Sequence, residues 1–203
     1  MSRTFGRTTL AMVAAAALGL ILSTGCRVDK HKDGGGEDVK IATPFGGMSV
    51  KTDQSAVVEG VGLTVYPGAV VVKKDKDNGA ADVNMSFGSF HLGVKAISYR
   101  TTDSPDKVMA FYRKDMARYG AVILCQGKHA VGTPDHTQDG LACDQDHGGN
   151  IHVGDNDQAT SELKVGSRLH QHIVAIDPDG TGTKFGLIAL DLPNHLDGDK
   201  DKD

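Results

Sequence analysis

Apolar and polar residues alternate along much of the chain between residues 48 and 192, and this pattern predicts β-strands. Turn residues separate these segments, at Tyr66-Pro67-Gly68-Ala69, at Gly88–Ser89 and at Asp177-Pro178-Asp179-Gly180. The predicted strands are Met48–Thr52, Gly62–Val65, Ala69–Lys73, Asp82–Ser89, Phe90–Thr101, Ala121–Gln126, Leu163–Gly166, Arg168–Ile176 and Thr183–Leu192.

A helical period marks one segment, which begins at Ser104-Pro105. Asp103 or Ser104 can accept hydrogen bonds from free N–H groups at a helix start, and proline suits the first turn. Gly120 is suited to end the helix. The apolar residues recur three or four positions apart and predict one buried stripe, formed by Val108, Phe111, Tyr112, Met116 and Tyr119.

These elements predict an α+β fold, in which one main amphipathic helix packs on an antiparallel β-sheet. The last two strands are expected to form a hairpin around Asp177–Gly180, and residues 48–194 to form a single domain. Aromatic residues are few, and five of them are expected in the core: Phe87, Phe90, Phe111, Tyr112 and Phe185.

The first 25 residues have the pattern of an export signal. Arg3 and Arg7 precede the apolar run Leu10–Leu22, which is shorter than the roughly 20 residues of a membrane-spanning helix. Small residues then lead to Gly25-Cys26, which resembles the lipobox of bacterial lipoproteins. We therefore expect cleavage before Cys26 and lipid on its thiol; an ordinary secretory signal that happens to contain a cysteine is the alternative.

Residues 26–47 are rich in charge and glycine, and they predict a flexible tether between lipid and domain. Residues 195–203 are acidic and predict a disordered tail.

Three cysteines occur in the chain, and with Cys26 lipidated, Cys125 and Cys143 remain as a pair. Export leads to an oxidising compartment, where such a pair is expected to form a disulfide. Closing a loop of about 18 residues would contribute on the order of 3 kcal/mol. Two buried free thiols, or a metal site that uses both sulfurs, are the alternatives.

The net charge argues against nucleic acid as a partner. It is −4 for the whole sequence, and loss of Arg3 and Arg7 with the signal would bring it to −6.

One serine and one lysine match a catalytic motif. Ser104-Pro105-Asp106-Lys107 fits S-x-x-K of the penicillin-interacting enzymes, although the partner motifs Ser-Asp-Asn and Lys-Thr-Gly are missing. Helix capping explains the same residues, so no catalytic residue is assigned and the chain is expected not to be an enzyme.

Two histidines are the candidates for a metal site. His170 and His172 are two residues apart, so on a strand both rings face the same side and could reach one divalent metal. His147 and His152 could add ligands. The alternative is the polar face of an exposed strand, and no cofactor is predicted.

Acidic residues could bind calcium at two places, but neither fits the twelve-residue calcium loop, and solvated turns explain both. These places are Asp144, Asp146, Asp155 and Asp157, and the segment Asp177–Gly182.

Three sets of residues resemble a group of uncharacterised bacterial exported and lipid-anchored proteins. They are Tyr66-Pro67-Gly68-Ala69, Thr101–Tyr112 with its Asp-Ser-Pro…Val…Phe-Tyr pattern, and Gly166…His172–Ile176 with Gly182–Phe185. The resemblance spans about Gly60–Leu192. It implies an exported, anchored domain and carries no activity.

The sequence therefore predicts a lipid-anchored envelope protein with a non-catalytic binding or structural role. An envelope protein is the expected partner besides the membrane itself. In a cell with two membranes, Arg27 after the cysteine favours the outer membrane, facing the periplasm. Metal or small-ligand binding through His170 and His172 is the alternative function, and serine hydrolysis a more distant one.

Overall fold

The computed structural model describes residues 26–33, 36–73, 79–143 and 161–193. Within these residues the fold is an eleven-stranded antiparallel sheet with two α-helices, in agreement with the predicted α+β class. The strands are β1 (Arg27–Asp33), β2 (Gly36–Thr43), β3 (Gly46–Lys51), β4 (Val70–Val71), β5 (Ala80–Phe87), β6 (Phe90–Thr101), β7 (Ile123–Gln126), β8 (His129–Ala130), β9 (Ser161–Gly166), β10 (His170–Asp179) and β11 (Gly182–Asp191).

The order of the strands across the sheet is β1-β2-β3-β5-β6-β11-β10-β9-β7-β8, and β4 pairs with β6. Neighbours in this order are antiparallel at every step. Short turns join several neighbours, as at Gly88-Ser89 between β5 and β6, where Gly88 has a φ of 58°.

Two helices, α1 (Gln54–Val61) and α2 (Pro105–Met116), pack on one face of the sheet. A single 3₁₀ turn, Ala117–Tyr119, extends α2. We call the face under the helices the helix face and the other the opposite face. The buried cluster on the helix face includes Val57 from α1, Tyr112 and Met116 from α2, and Phe185 and Leu187 from β11.

The helix α1 was not predicted, although its ends carry recognisable signals. The Asp53 side chain accepts a hydrogen bond from the backbone N–H of Ala56 at 2.9 Å, and Gly62 ends the helix with a φ of 71°. Val57 and Val61, four residues apart, are its buried residues. Valine favours strands over helices, so propensity alone does not reveal this helix.

The segment expected to be a flexible tether is instead the hairpin β1–β2 and the start of β3. The apolar residues of this segment follow the period of two that is typical of strands. Val28, Val39 and Ile41 all project to one face of the sheet, although charged residues surround them in the sequence. The hairpin is held to the rest of the sheet through β3, which pairs with β5.

Several element boundaries also differ from prediction. Residues 62–65 form no strand, because Gly62 ends α1 and Thr64 donates to the carboxylate of Asp115 on α2 at 2.7 Å. The last hairpin turns at Gly180–Thr181, and Pro178, expected in the turn, pairs with Thr183 inside the strands. Gly180, with a φ of 62°, makes this tight turn possible.

Two aromatic residues expected in the core lie elsewhere. Phe87 is 45% exposed at the end of β5, and Tyr119 is 39% exposed at the end of the 3₁₀ turn. Phe185 and Tyr112 are fully buried as predicted, and Phe111 and Phe90 are half-buried.

A second, smaller cluster lies on the opposite face of β7. Ile123 and Leu141 pack there with the disulfide between Cys125 and Cys143, whose S–S distance is 1.99 Å. The predicted disulfide is thereby confirmed. It fastens the segment after β8 to the sheet.

Candidate functional site

The predicted metal ligands His170 and His172 lie at the start of β10, on the helix face. His170 is exposed, and its Nδ1 lies 2.9 Å from Oδ1 of Asp191, its direct partner on β11. His172 is half-buried, two residues further along the same strand. The strand geometry thus brings both rings to one side, as the sequence predicts.

His172 packs against the end of the 3₁₀ turn. Its ring stacks on Tyr119 with centroids 4.1 Å apart and planes at 17°. Burial lowers the pKa of His172, the positive charge of Arg118 lowers it further, and Asp191 opposes both effects. The imidazole is therefore the neutral form at pH 7, the form that can bind a metal.

A carbonyl oxygen at the end of α1 joins this site to both helices. The Gly62 carbonyl accepts from the Tyr119 hydroxyl at 2.6 Å and from Nη2 of Arg118 at 2.5 Å. A Cβ at Gly62 would lie 3.0 Å from the Tyr119 oxygen, so glycine leaves room for this close approach. Arg118 also pairs with Asp115, which satisfies much of its charge.

The two histidines are the ends of two polar rows that run across the helix face from β1 to β10. Residues that pair directly in a sheet project to the same face, so each register defines one row. The first row is Asp29, Lys40, Ser49, Asn84, Gly93, Asp191 and His170. The second is His31, Asp38, Lys51, Asp82, Lys95, Ala189 and His172. We call these two rows the polar strip.

Gly93 lies at the centre of the polar strip, where the absence of a side chain leaves room for the polar groups on either side. A Cβ at this position would lie 3.3 Å from Oδ1 of Asn84 and 3.3 Å from Oδ2 of Asp191. Asn84 in turn donates to Oδ1 of the buried Asp82 at 2.5 Å. The strip therefore offers amide, carboxylate and imidazole groups beside one another.

Charge along the polar strip is largely balanced. Asp82 pairs in register with both Lys51 and Lys95, and Asp38 also pairs with Lys51. Opposite charges on neighbouring strands attract each other and stabilise the sheet. In the described part of the chain, no three His, Cys, Asp or Glu side chains come close enough together to hold a metal ion. His147, His152, Asp144, Asp146, Asp155 and Asp157 lie outside the described residues.

The serine and lysine of the S-x-x-K match form a helix start. Ser104 is the N-cap of α2, and its carbonyl accepts from the backbone N–H of Lys107 at 3.1 Å. The Lys107 ammonium donates to Asp103 at 2.9 Å, and this hydrogen bond raises the pKa of Lys107. A lysine that activates a serine needs the opposite shift, so this pair does not have the electrostatics of the catalytic motif.

Asp103 fixes the helix start to the core. Its carboxylate also accepts from the Tyr66 hydroxyl at 2.9 Å, and its pKa is lowered by the hydrogen bonds from Lys107 and Tyr66. Its carbonyl accepts from the Thr183 hydroxyl on β11 at 2.7 Å. The Tyr-Pro-Gly-Ala turn and the Asp-Ser-Pro helix start, which both belong to the resemblance to exported proteins, thus meet at Asp103 and have a structural role.

The second acidic segment considered for calcium, Asp177–Gly182, is a strand end and a turn, as the alternative of a solvated turn supposes. Asp179 forms an ion pair with Arg100 on β6 at 2.5 Å. Asp177 is opposite Lys184 on β11. Both carboxylates thus lie beside a basic residue, which explains the acidic run without calcium.

Cys26, the predicted lipidation site, precedes β1 directly. Its side chain is exposed, and its thiol is not in a disulfide. None of the described helices is long and apolar enough to span a membrane.

No family model, curated protein or solved structure matches this chain.

Proposed function

We propose that this chain is a lipid-anchored protein of the bacterial cell envelope, cut before Cys26, whose folded domain has a non-catalytic binding or structural role. The observation that carries the proposal is the state of the three cysteines. Cys125 and Cys143 are bonded to each other, and Cys26 alone is exposed and unpaired at the predicted cleavage point.

The disulfide supports export, because such bonds persist in oxidising compartments and are rare in the cytosol. Export in turn requires a signal peptide, and the apolar run Leu10–Leu22 with the small residues before Cys26 has the pattern of one. The resemblance to uncharacterised exported lipoproteins supports the same address. In a cell with two membranes, we place the protein on the outer membrane, facing the periplasm.

The described residues favour a role without catalysis. Lys107 is held by Asp103, and along the polar strip Asp82 pairs in register with Lys51 and Lys95. An envelope protein is the partner we propose, with the membrane bound through the lipid and no part for nucleic acid.

The mass of the intact protein, purified from its native membranes, tests the proposal. We expect the mass of residues 26–203 plus acyl chains, with Cys125 and Cys143 alkylated only after reduction. A Cys26→Ala variant is the matched control and is expected to carry no acyl chains. An unacylated protein with an intact N-terminus would overturn the proposal.

A second candidate function is the binding of a metal or small ligand through His170 and His172. It is favoured by the placement of both rings on the helix face of β10, with His172 neutral. Titration with Zn²⁺ tests it, and His170→Ala/His172→Ala is expected to abolish binding. The control is His129→Ala, on β8 at the far edge of the sheet. Unchanged binding in the double variant would exclude this site.

A further inference from the structure

The strands β1, β2, β3 and β5 form a sheet that is polar on one face and apolar on the other. Their helix face carries the polar strip, in which Asp29 and Lys40 are exposed and Asp82 is buried. On the opposite face, one register row crosses from β1 to β6 with only apolar side chains. This row is Val28, Ile41, Met48, Met85 and Leu92.

A second row on the same face is also apolar except for its first residue. It consists of Lys30, Val39, Val50, Val83 and Val94, and it continues to Leu190 on β11. We call the opposite face of β1, β2, β3 and β5, with the turn residue Phe45, the apolar platform.

Part of the apolar platform is exposed to solvent. Phe45, in the turn between β2 and β3, is 85% exposed, and Val28 on β1 is 62% exposed. Phe87 and Ile41 are 45% and 36% exposed. A cluster of large apolar side chains in water marks a surface that another apolar body covers.

The position of Cys26 indicates what covers the apolar platform. Cys26 directly precedes β1, so its Cα lies about 7 Å from that of Val28. Continuing the alternation of β1 puts the Cys26 side chain on the same face as Val28. Phe87, on β5, is three strand spacings away, about 14 Å. With β1 starting at Arg27, no spacer separates a lipid on Cys26 from the platform.

We propose that the apolar platform lies on the lipid bilayer, with Val28, Phe45 and Phe87 inserted among the acyl chains. This inference rests on the proposed lipid anchor at Cys26. An amphipathic surface lying in the interface buries its apolar side by about 5–10 Å. The anchor would bring the platform to the membrane, and the polar strip on the other face would stay in water.

Fluorescence quenching tests the platform, because the chain contains no tryptophan. The full lipidated chain is purified and reconstituted into phosphatidylcholine vesicles that carry bromine on their acyl chains. The test variants are Phe45→Trp and Phe87→Trp. The control is Val131→Trp, an exposed apolar position that follows β8 at the other edge of the sheet.

We expect a large loss of fluorescence from the variants at positions 45 and 87 and little loss from the control. Equal quenching in all three variants, or none at positions 45 and 87, would overturn the inference. If both positions escape quenching and chemical crosslinking yields a dimer, the platform instead contacts a second copy of the chain. Mass spectrometry of the same sample separates the two proposals. An acylated protein without quenching refutes only the platform, whereas an unacylated protein refutes the anchor.

Discussion

The two halves of the sheet differ in which faces they bury, because the half with β10 and β11 buries apolar residues on both faces, including Ile173, Ala175 and Ile188 on the opposite face. In the half formed by β6, β11, β10 and β9, the helix face is apolar and is covered by α1 and α2. In the half formed by β1, β2, β3 and β5, the same face carries the polar strip, and the apolar side chains are on the opposite face. The change occurs within β6, where Ile97 and Tyr99 are buried under the helices and Lys95 belongs to the strip.

This difference shows that one continuous sheet can serve two environments. Antiparallel strands allow it, because either face of an antiparallel sheet can be packed or left in water. The covered half has its own helices to exclude water. The other half leaves large apolar residues exposed, so substitutions in the two halves should differ in their effect on the free energy of unfolding.

The largest effect is expected from removing a phenylalanine in the covered half. Phe185 is fully buried and stacks on Tyr99 at 5.5 Å between ring centroids. Phe185→Ala should lower the free energy of unfolding by about 3–5 kcal/mol, because it removes apolar contacts and leaves a cavity. Phe87→Ala is the matched control in the other half and should cost only about 0.5 kcal/mol. Denaturant unfolding measures both, and equal losses would contradict the comparison.

Loss of the disulfide should have the next largest effect. It closes a loop of sequence separation 18, so Cys125→Ala/Cys143→Ala should lower the free energy of unfolding by about 3 kcal/mol. Cys26→Ala should leave it unchanged, because that thiol has no partner. A double variant as stable as the parent would show that the crosslink between β7 and the segment after β8 does not stabilise the fold.

The smallest effect concerns His172, which lies where the polar strip meets the covered half. Its pKa is lower in the folded than in the unfolded protein, so the unfolded state binds protons more readily. The free energy of unfolding should therefore fall as pH drops below about 6.5, and level off below the folded pKa.

His172→Phe keeps an aromatic ring against Tyr119 and removes the titrating group. Its unfolding free energy should fall less between pH 7.5 and 5, values chosen about one unit or more on either side of the ordinary histidine pKa. Chemical denaturation at a series of pH values measures the difference. An identical pH dependence in parent and variant would show that His172 does not contribute.

The covered half was largely predictable from the sequence. The helix start at Ser104-Pro105, the buried Val108 and Tyr112, and the hairpin of β10 and β11 follow from the helical period, the proline of the first turn and the turn residues, although no side chain caps the helix. Local signals suffice there, because the apolar residues of each helix and strand recur at that element's own period and are buried in the shared core. The exceptions are the helix α1, which its valines conceal, and Tyr119, whose ring stacks on His172 from a distant strand.

The other half was not predictable in the same way. In Arg27–Asp33 the polar and apolar positions are defined only by pairing with β2, and high charge alone indicates a flexible segment. Phe87 has a large apolar side chain, as core residues do, but it lies at an exposed end of β5. Only the register of β3 and β5 reveals the polar strip and its connection to His170 and His172.

The two ends of the sheet limit how copies of this protein can meet. Free strand edges are templates for further strands and hence for aggregation, and charge or shortness protects them. The first edge, β1, has charged residues at five of its seven positions, and the last, β8, has only two residues. Neighbouring molecules therefore have little edge strand available for pairing. A high local concentration of the protein should not extend the sheet from one molecule to the next.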